Sequence, residues 1–288
     1  MIKIVLHCLP NELDQLSWIL DQLKRSSRFV NPDKFILDFT LNVSDTDVDW
    51  DNSILSKEYC IEKFNLLFDK SPFINENKIS EQHTGCNTVR RNALRNDDDV
   101  THIIGLDPDL LFPDYLLYYM EKSIIDIKDE YHVVTPQIFQ LWDESWDVIS
   151  HDNYKNIPRS EKLWLSDPYK IFEHDANDIK LKPLPYAKFD GGWMNMCSKN
   201  LLQLIDIPDS LGHYGLDDTF VVNCINMLIQ KGYNVKQYVL NDVVVMEDRI
   251  YRSKSMDPFI SLREHKDDLR ENSHVNFNNE LAQFNNRI

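Results

Sequence analysis

A chain of 288 residues and 34.1 kDa, 42% hydrophobic and 27% charged, is long enough to bury about three quarters of its unfolded surface in one core. Its formal charge of −16 argues against non-specific nucleic-acid binding, while leaving room for a phosphorylated ligand held through a divalent cation. Apolar runs stop at about six residues where a membrane span needs roughly 20, so no transmembrane segment is expected. The opening MIKIVLHCLP lacks the layout of a secretory signal. Cys8, Cys60, Cys86, Cys197 and Cys224 are odd in number and widely spaced, which predicts reduced thiols in a cytoplasmic protein.

Ile2–Leu6 reads as a short buried strand. Asn11 then serves as the expected N-cap of a helix whose Leu13, Leu16, Leu20 and Leu23 share one face. Phe35, Leu37, Phe39 and Leu41 alternate with polar residues, the period of a strand. Glu58–Phe68 is a second helix and Ile103–Leu106 a second buried strand. Pro113 opens an apolar helix, and His132–Thr135 is a strand stopped by Pro136. Strand and helix in alternation predict an α/β fold with a mixed, mostly parallel sheet flanked by helices. Residues 140–188, with Trp142, Trp146 and Trp164 and no clean period, read as an irregular insertion on the possible acceptor side. Beyond it come a Gly-Gly turn, helices near Lys199–Ile205 and Thr219–Lys231, and two strands, Val235–Leu240 and Val243–Met246. The expected organisation is one domain over 1–250, with 251–288 as a polar, Asn-rich tail carrying one or two helices.

Four constellations carry chemistry. Asp107 and Asp109 lie two apart at the C-terminal end of a buried strand, where open α/β sheets bind ligands; they suit a hard cation such as Mg²⁺ or Mn²⁺, or simply end the strand in a turn. Gly191 and Gly192 permit a close backbone approach to a ligand, or a tight turn. Asp217 and Asp218 open an apolar helix, either as caps or as a general base at a pocket. Arg90 and Arg91 follow a polar turn, and arginine suits phosphate or a structural carboxylate.

In this order the features resemble GT-A-fold glycosyltransferases, family 2 in particular. The matching residues are Arg91-Asn92, Asp107-Pro108-Asp109, Gly191-Gly192 and Gly215-Leu216-Asp217-Asp218, with Pro10-Asn11-Glu12 similar to the nucleotide-side loop. The resemblance spans roughly residues 1–248 and implies a GT-A-like (Rossmann-like) fold and a metal-dependent enzyme taking a nucleotide sugar, a UDP-sugar above all. Asp107 and Asp109 would hold the cation on the donor diphosphate, where it acts as a Lewis acid. Asp218 would be the catalytic base for an inverting single displacement, with Asp217 beside it. Pro10, Asn11, Asn42, Asp45, Arg91, Gly191 and Gly192 would contact the donor. Asp190 and Trp193 would meet the acceptor side, and Trp142 and Trp146 would either stack on sugar or plug the core. The hydroxyl acceptor is a glycan, a lipid-linked precursor, a protein or a modified nucleobase. The chain departs from the family pattern in two places: the acidic pair is Asp-Asp rather than Glu-Asp, and VVVMEDRIYR carries no histidine, which leaves His265 or His274 as a further metal ligand. Two other readings are a metal-dependent nucleotidyltransferase, whose Gly- and basic-rich N-terminal loop is missing, and a catalytically silent binding domain of the same fold, against which both acidic pairs count.

Overall fold

The computed structural model describes residues 1–51, 53–69, 71–95, 99–138, 144–151, 180–184, 194–213, 215–247 and 260–288, without the side chains of residues 95, 144–146, 242, 247 and 260–272. Strand β1 (Ile2–Cys8) is buried on both faces, as the centre of a parallel sheet requires. It leads through a tight turn, Pro10–Glu12, into helix α1 (Leu13–Ser26). Asn11 does not cap that helix: the Glu12 carboxylate accepts the Leu9 N–H at 2.8 Å, so a longer side chain one residue later satisfies the turn. The expected leucine stripe faces inward, with Leu13, Leu16, Leu20 and Leu23 all buried.

Strand β2 (Phe35–Asn42) is buried along its whole length, followed by helix α2 (Lys57–Phe68) and the short strands β3 (Ile74–Asn75) and β4 (Lys78–Ser80). Helix α3 (Cys86–Arg95), strands β5 (His102–Leu106) and β6 (Leu110–Leu111), helix α4 (Leu116–Asp126) and strand β7 (Tyr131–Ile138) come next. Pro136 does not stop β7. Among the described residues only Val133 and Val134 pair with the neighbouring strand on one side, and on the other the register jumps just past Leu240, so the missing N–H falls where the ladder is already irregular. Strands β8 (Lys180–Leu184) and β9 (Met194–Ser198), helices α5 (Lys199–Ile205) and α6 (Asp217–Gln230), strand β10 (Val235–Glu247) and helix α7 (Ile260–Arg287) complete the described chain. The two late strands expected from the sequence are one, β10, with a bulge between Leu240 and Val244. The polar tail contains the 28-residue α7, anchored where Phe284 (3% exposed) and Phe277 meet the ring of Phe220 on α6.

The sheet order is β3-β2-β1-β5-β9-β7-β10-β6, with β4 on β2 and β8 on β10. β1, β2, β3, β4 and β5 run parallel, as do β7 and β10; β9 is antiparallel to both β5 and β7. Two apolar cores cover the two faces: one takes residues of α1, α2 and α4, the other of α3, α5, α6 and α7. The chain leaves β1 for β2 on one side and returns to β5 on the other. A crevice therefore opens above the C-terminal ends of β1 and β5, the place where open α/β sheets bind ligands.

Candidate active site

Asp107 follows directly on β5 at that crevice, and its side chain is 40% exposed. The turn through Asp109 leads into β6, held by Gln22 of α1: its Oε1 accepts the Phe112 N–H at 2.8 Å and its Nε2 donates to Leu110 O at 3.2 Å. One buried amide thus fixes the backbone just past both aspartates. In the sequence, a glutamine within the apolar stripe of α1 was the only signal of this role.

The second acidic pair reaches the crevice by a strained turn. Gly215 (φ +88°) and Leu216 (φ +62°) are both left-handed, and Leu216, not an aspartate, occupies the N-cap of α6. A leucine in that region costs about 1–2 kcal/mol. The turn sets Asp217 and Asp218 in the first turn of α6, where the positive end of the helix dipole offsets their mutual repulsion. Helix α3 clamps the same loop: Asn87 donates its backbone N–H to His213 O (3.1 Å) and its amide Nδ2 to Gly215 O (3.0 Å).

Arg90 of α3 joins the two motifs. Its Nη1 lies 2.6 Å from Asp217 Oδ2 and its Nη2 lies 3.3 Å from Asp107 Oδ1. Asp217 is buried and held by this pair. Asp218 is half-buried, and its Oδ1 accepts the Thr219 N–H at 2.7 Å. Burial, followed by the charge of Asp217, raises the Asp218 carboxyl above its ordinary range, against the opposing pull of Arg90 and the Thr219 N–H. Burial and the Asp217 charge push the nearby Cys86 thiol up to about 12, so it carries no thiolate near neutral pH.

Arg91, the expected donor contact, is buried and engaged within the fold. Its guanidinium pairs with Asp209 (3.1 Å) and donates to Pro208 O (3.1 Å) and Thr88 Oγ1 (3.2 Å); one step along the helix, Arg90 is the arginine that faces the acids. Asn42 is likewise engaged within the fold, donating to Asp47 and Thr84 O and accepting the Ser44 N–H. Asp45 is exposed and paired with Lys57 at 3.2 Å. Pro10 and Asn11 stand on the turn just beyond the C-terminal end of β1. Asp190, Gly191, Gly192, Trp193 and Trp142 lie outside the described residues, as do the side chains of Trp146 and His265; His274 is exposed on α7. Among the described residues no three His, Cys, Asp or Glu side chains form a metal-binding group.

A cluster that the sequence did not single out borders the crevice over the ends of β1 and β2. The His83 ring pairs with Asp47, the His213 Nδ1 with Thr88 Oγ1 (2.8 Å), and the two imidazoles stand 4.3 Å apart, edge to face. Histidines spread over positions 83 and 213 give no local pattern, so only the fold brings them together.

No protein-family model and no curated protein sequence matches the chain. Solved structures do. S. aureus TarS 1-349 aligns over 94% of this chain and 70% of its own, at 14% identity and a TM-score of 0.51. The same protein in complex with UDP-GlcNAc aligns over 85% and 57%, at 12% identity and 0.53. Its complex with UDP aligns over 96% and 71%, at 13% identity and 0.52. The chain therefore has the fold of these structures, a GT-A-like, mixed and mostly parallel sheet flanked by helices.

Proposed function

We propose that the chain is a glycosyltransferase moving a sugar from a UDP-sugar to an acceptor hydroxyl by single displacement with inversion. The observation that carries this reading is the Arg90 bridge. One guanidinium ties the aspartate at the tip of β5 to the acidic pair at the mouth of α6, leaving the half-buried Asp218 beside a fixed Asp217. The crystal structures of TarS with UDP-GlcNAc and UDP support a donor of that class on this fold.

Asp218 takes the proton of the acceptor hydroxyl as its oxygen bonds to the anomeric carbon and the bond from that carbon to the diphosphate oxygen breaks. A carboxyl raised by burial is a stronger base than a solvated one, which suits this task. Asp217, ion-paired with Arg90, orients the pair. Asp107 and Asp109 are hard oxygen donors two residues apart just past β5, and Mg²⁺ or Mn²⁺ commonly binds through one or two carboxylates plus phosphate oxygens and water, so the donor set fits such a cation. When bound there, it supplies Lewis-acid stabilisation of the departing diphosphate. Among the described residues no helix is long and apolar enough to cross a membrane.

The test is turnover of UDP-sugars with Mn²⁺. Release of UDP, lost in Asp109→Ala, supports the reading. Release of pyrophosphate would instead identify nucleotidyl transfer. Tight donor binding with no turnover across an acceptor panel would identify a silent binding domain.

A further inference from the structure

Beneath the acidic pair lies a cavity of about 80 Å³ between the sheet and helices α3 and α6. Its floor is one row across four strands: Ile103 of β5, Cys197 of β9, Val133 of β7 and Gln237 of β10 stand in register. Three positions of that row are apolar or thiol, as a sheet face packed under a helix demands. The fourth is not. Gln237 is 3% exposed, and neither its Nε2 nor its Oε1 has a hydrogen-bond partner among the described residues. Leaving a buried polar group unpaired costs about 1–3 kcal/mol, and this amide has two such groups. A buried amide in a native core calls for an occupant or a role.

The cavity's size selects the occupant. It is about half the ~150 Å³ of an apolar cavity that takes a benzene ring, and it has room for several waters, each of which needs about 10–15 Å³ of such space. Most of its lining is apolar, but Gln237, Asn195, Arg90, Asp217 and Asp218 also border it, which gives internal waters the two to four polar partners they need. Asn195 is oriented by the Thr135 hydroxyl, which donates to its Oδ1 at 2.6 Å. On Asp218 the only hydrogen bonds from another residue, among those described, come from Thr219 to Oδ1.

We propose that this cavity is an internal hydration site anchored by the Gln237 amide, and that its waters orient the Asp217–Asp218 pair. Gln237 is then a positioning residue, acting on the carboxylates through water and touching neither substrate. The orienting role rests on Asp218 being the base; the hydration site does not.

The experiment uses the full chain with Gln237→Met, close in shape but without hydrogen bonds, and Gln237→Asn, which keeps donor and acceptor. The expected result for Gln237→Met is a melting temperature unchanged or raised, kcat lowered about tenfold, and both KM values within twofold. Gln237→Asn restores kcat to within about threefold. Wild-type kcat in Gln237→Met overturns the positioning role, as does a joint fall in kcat, KM and melting temperature that Gln237→Asn does not rescue. A high-resolution crystal structure of the wild-type protein tests hydration whether or not Gln237→Met folds. Ordered waters on the Gln237 amide support the site, and a dry cavity that takes up xenon overturns it. Hydration without any transfer of sugar would sink the functional reading and leave the site standing.

Discussion

At the scale of single residues, the proposed reaction gives the two members of the acidic pair separate tasks, set by what each one pairs with. Asp217 is buried and ion-paired with Arg90 at 2.6 Å, whereas Asp218 is half-buried beside the crevice. Asp218→Asn is therefore expected to cut kcat by a factor of about 100 or more while donor affinity, read by calorimetry, stays within about twofold. A parallel loss of donor affinity would mean that base and binding roles have been exchanged. Arg90→Ala does something different: it strands the buried Asp217 carboxylate, at a cost of about 3–5 kcal/mol. Adding Asp217→Asn removes the stranded charge, so the double variant is expected to unfold in denaturant at a concentration closer to the wild type than Arg90→Ala alone. Additive losses in that cycle would show that the ion pair contributes nothing to stability. The sequence displayed both acidic motifs and the tandem arginines, because residue type and spacing are local. It did not show which arginine turns inward, since adjacent helix residues differ by about 100° and only the packing of α3 on β1 and β5 fixes the rotation.

At the scale of elements, the site depends on α3 meeting the loop that feeds α6. Gly85, just before α3, has His213 O where a side chain would be: an added Cβ would lie 1.9 Å from that oxygen. Backbone cannot yield there without pulling the Asn87 contacts apart, and those contacts hold the turn that presents Asp217 and Asp218. Gly85→Ala is expected to lower the melting temperature by several degrees and kcat by tenfold or more, with far-ultraviolet circular dichroism unchanged. Wild-type activity in that variant would show that the clamp does not position the acids. Many elements were legible from period alone: the apolar-rich β1 and the leucine stripe of α1 each match a burial pattern the fold then uses, whereas β2, alternating in sequence, is buried along its whole length, Asp38, Thr40 and Asn42 included. The failures are cases where long-range packing overrides local preference. Pro136 sits inside β7 because the ladder is irregular beside it, and β10 carries through Asn241 by a bulge. Helix α7 falls where one or two helices were expected in the tail; what its many asparagines obscured is the anchoring, since Phe277, Leu281 and Phe284 repeat at helical spacing and pack against the second core.

At the scale of the whole molecule, the two ends of the sheet respond differently to protons. The end bearing the acids is the one proposed to react. Near the opposite end, His102 of β5 and His132 of β7 meet across β9 with their Nε2 atoms 3.0 Å apart, a distance at which one nitrogen must donate and the other accept. Both are buried. Desolvation, then the neighbouring imidazole and the N-terminal ammonium, lowers His102 from 6.5 to about 4, and desolvation lowers His132. The unfolded chain takes up a proton at His102 below about pH 6.5, while the folded chain resists until about pH 4. Stability from this neutral pair is thus fully present above pH 6.5 and is lost as the pH falls towards 4. For His102 alone the loss by pH 5 is about 2 kcal/mol, at 1.36 kcal/mol for each unit of displacement. Urea unfolding at pH 7.5 and pH 5.0 checks this, compared with His102→Gln, in which an amide keeps a hydrogen bond but cannot titrate. The wild type is expected to lose about 2 kcal/mol more than the variant between the two conditions. Equal losses would place the acid sensitivity in the carboxylates elsewhere and leave the imidazole pair a neutral structural contact at every pH.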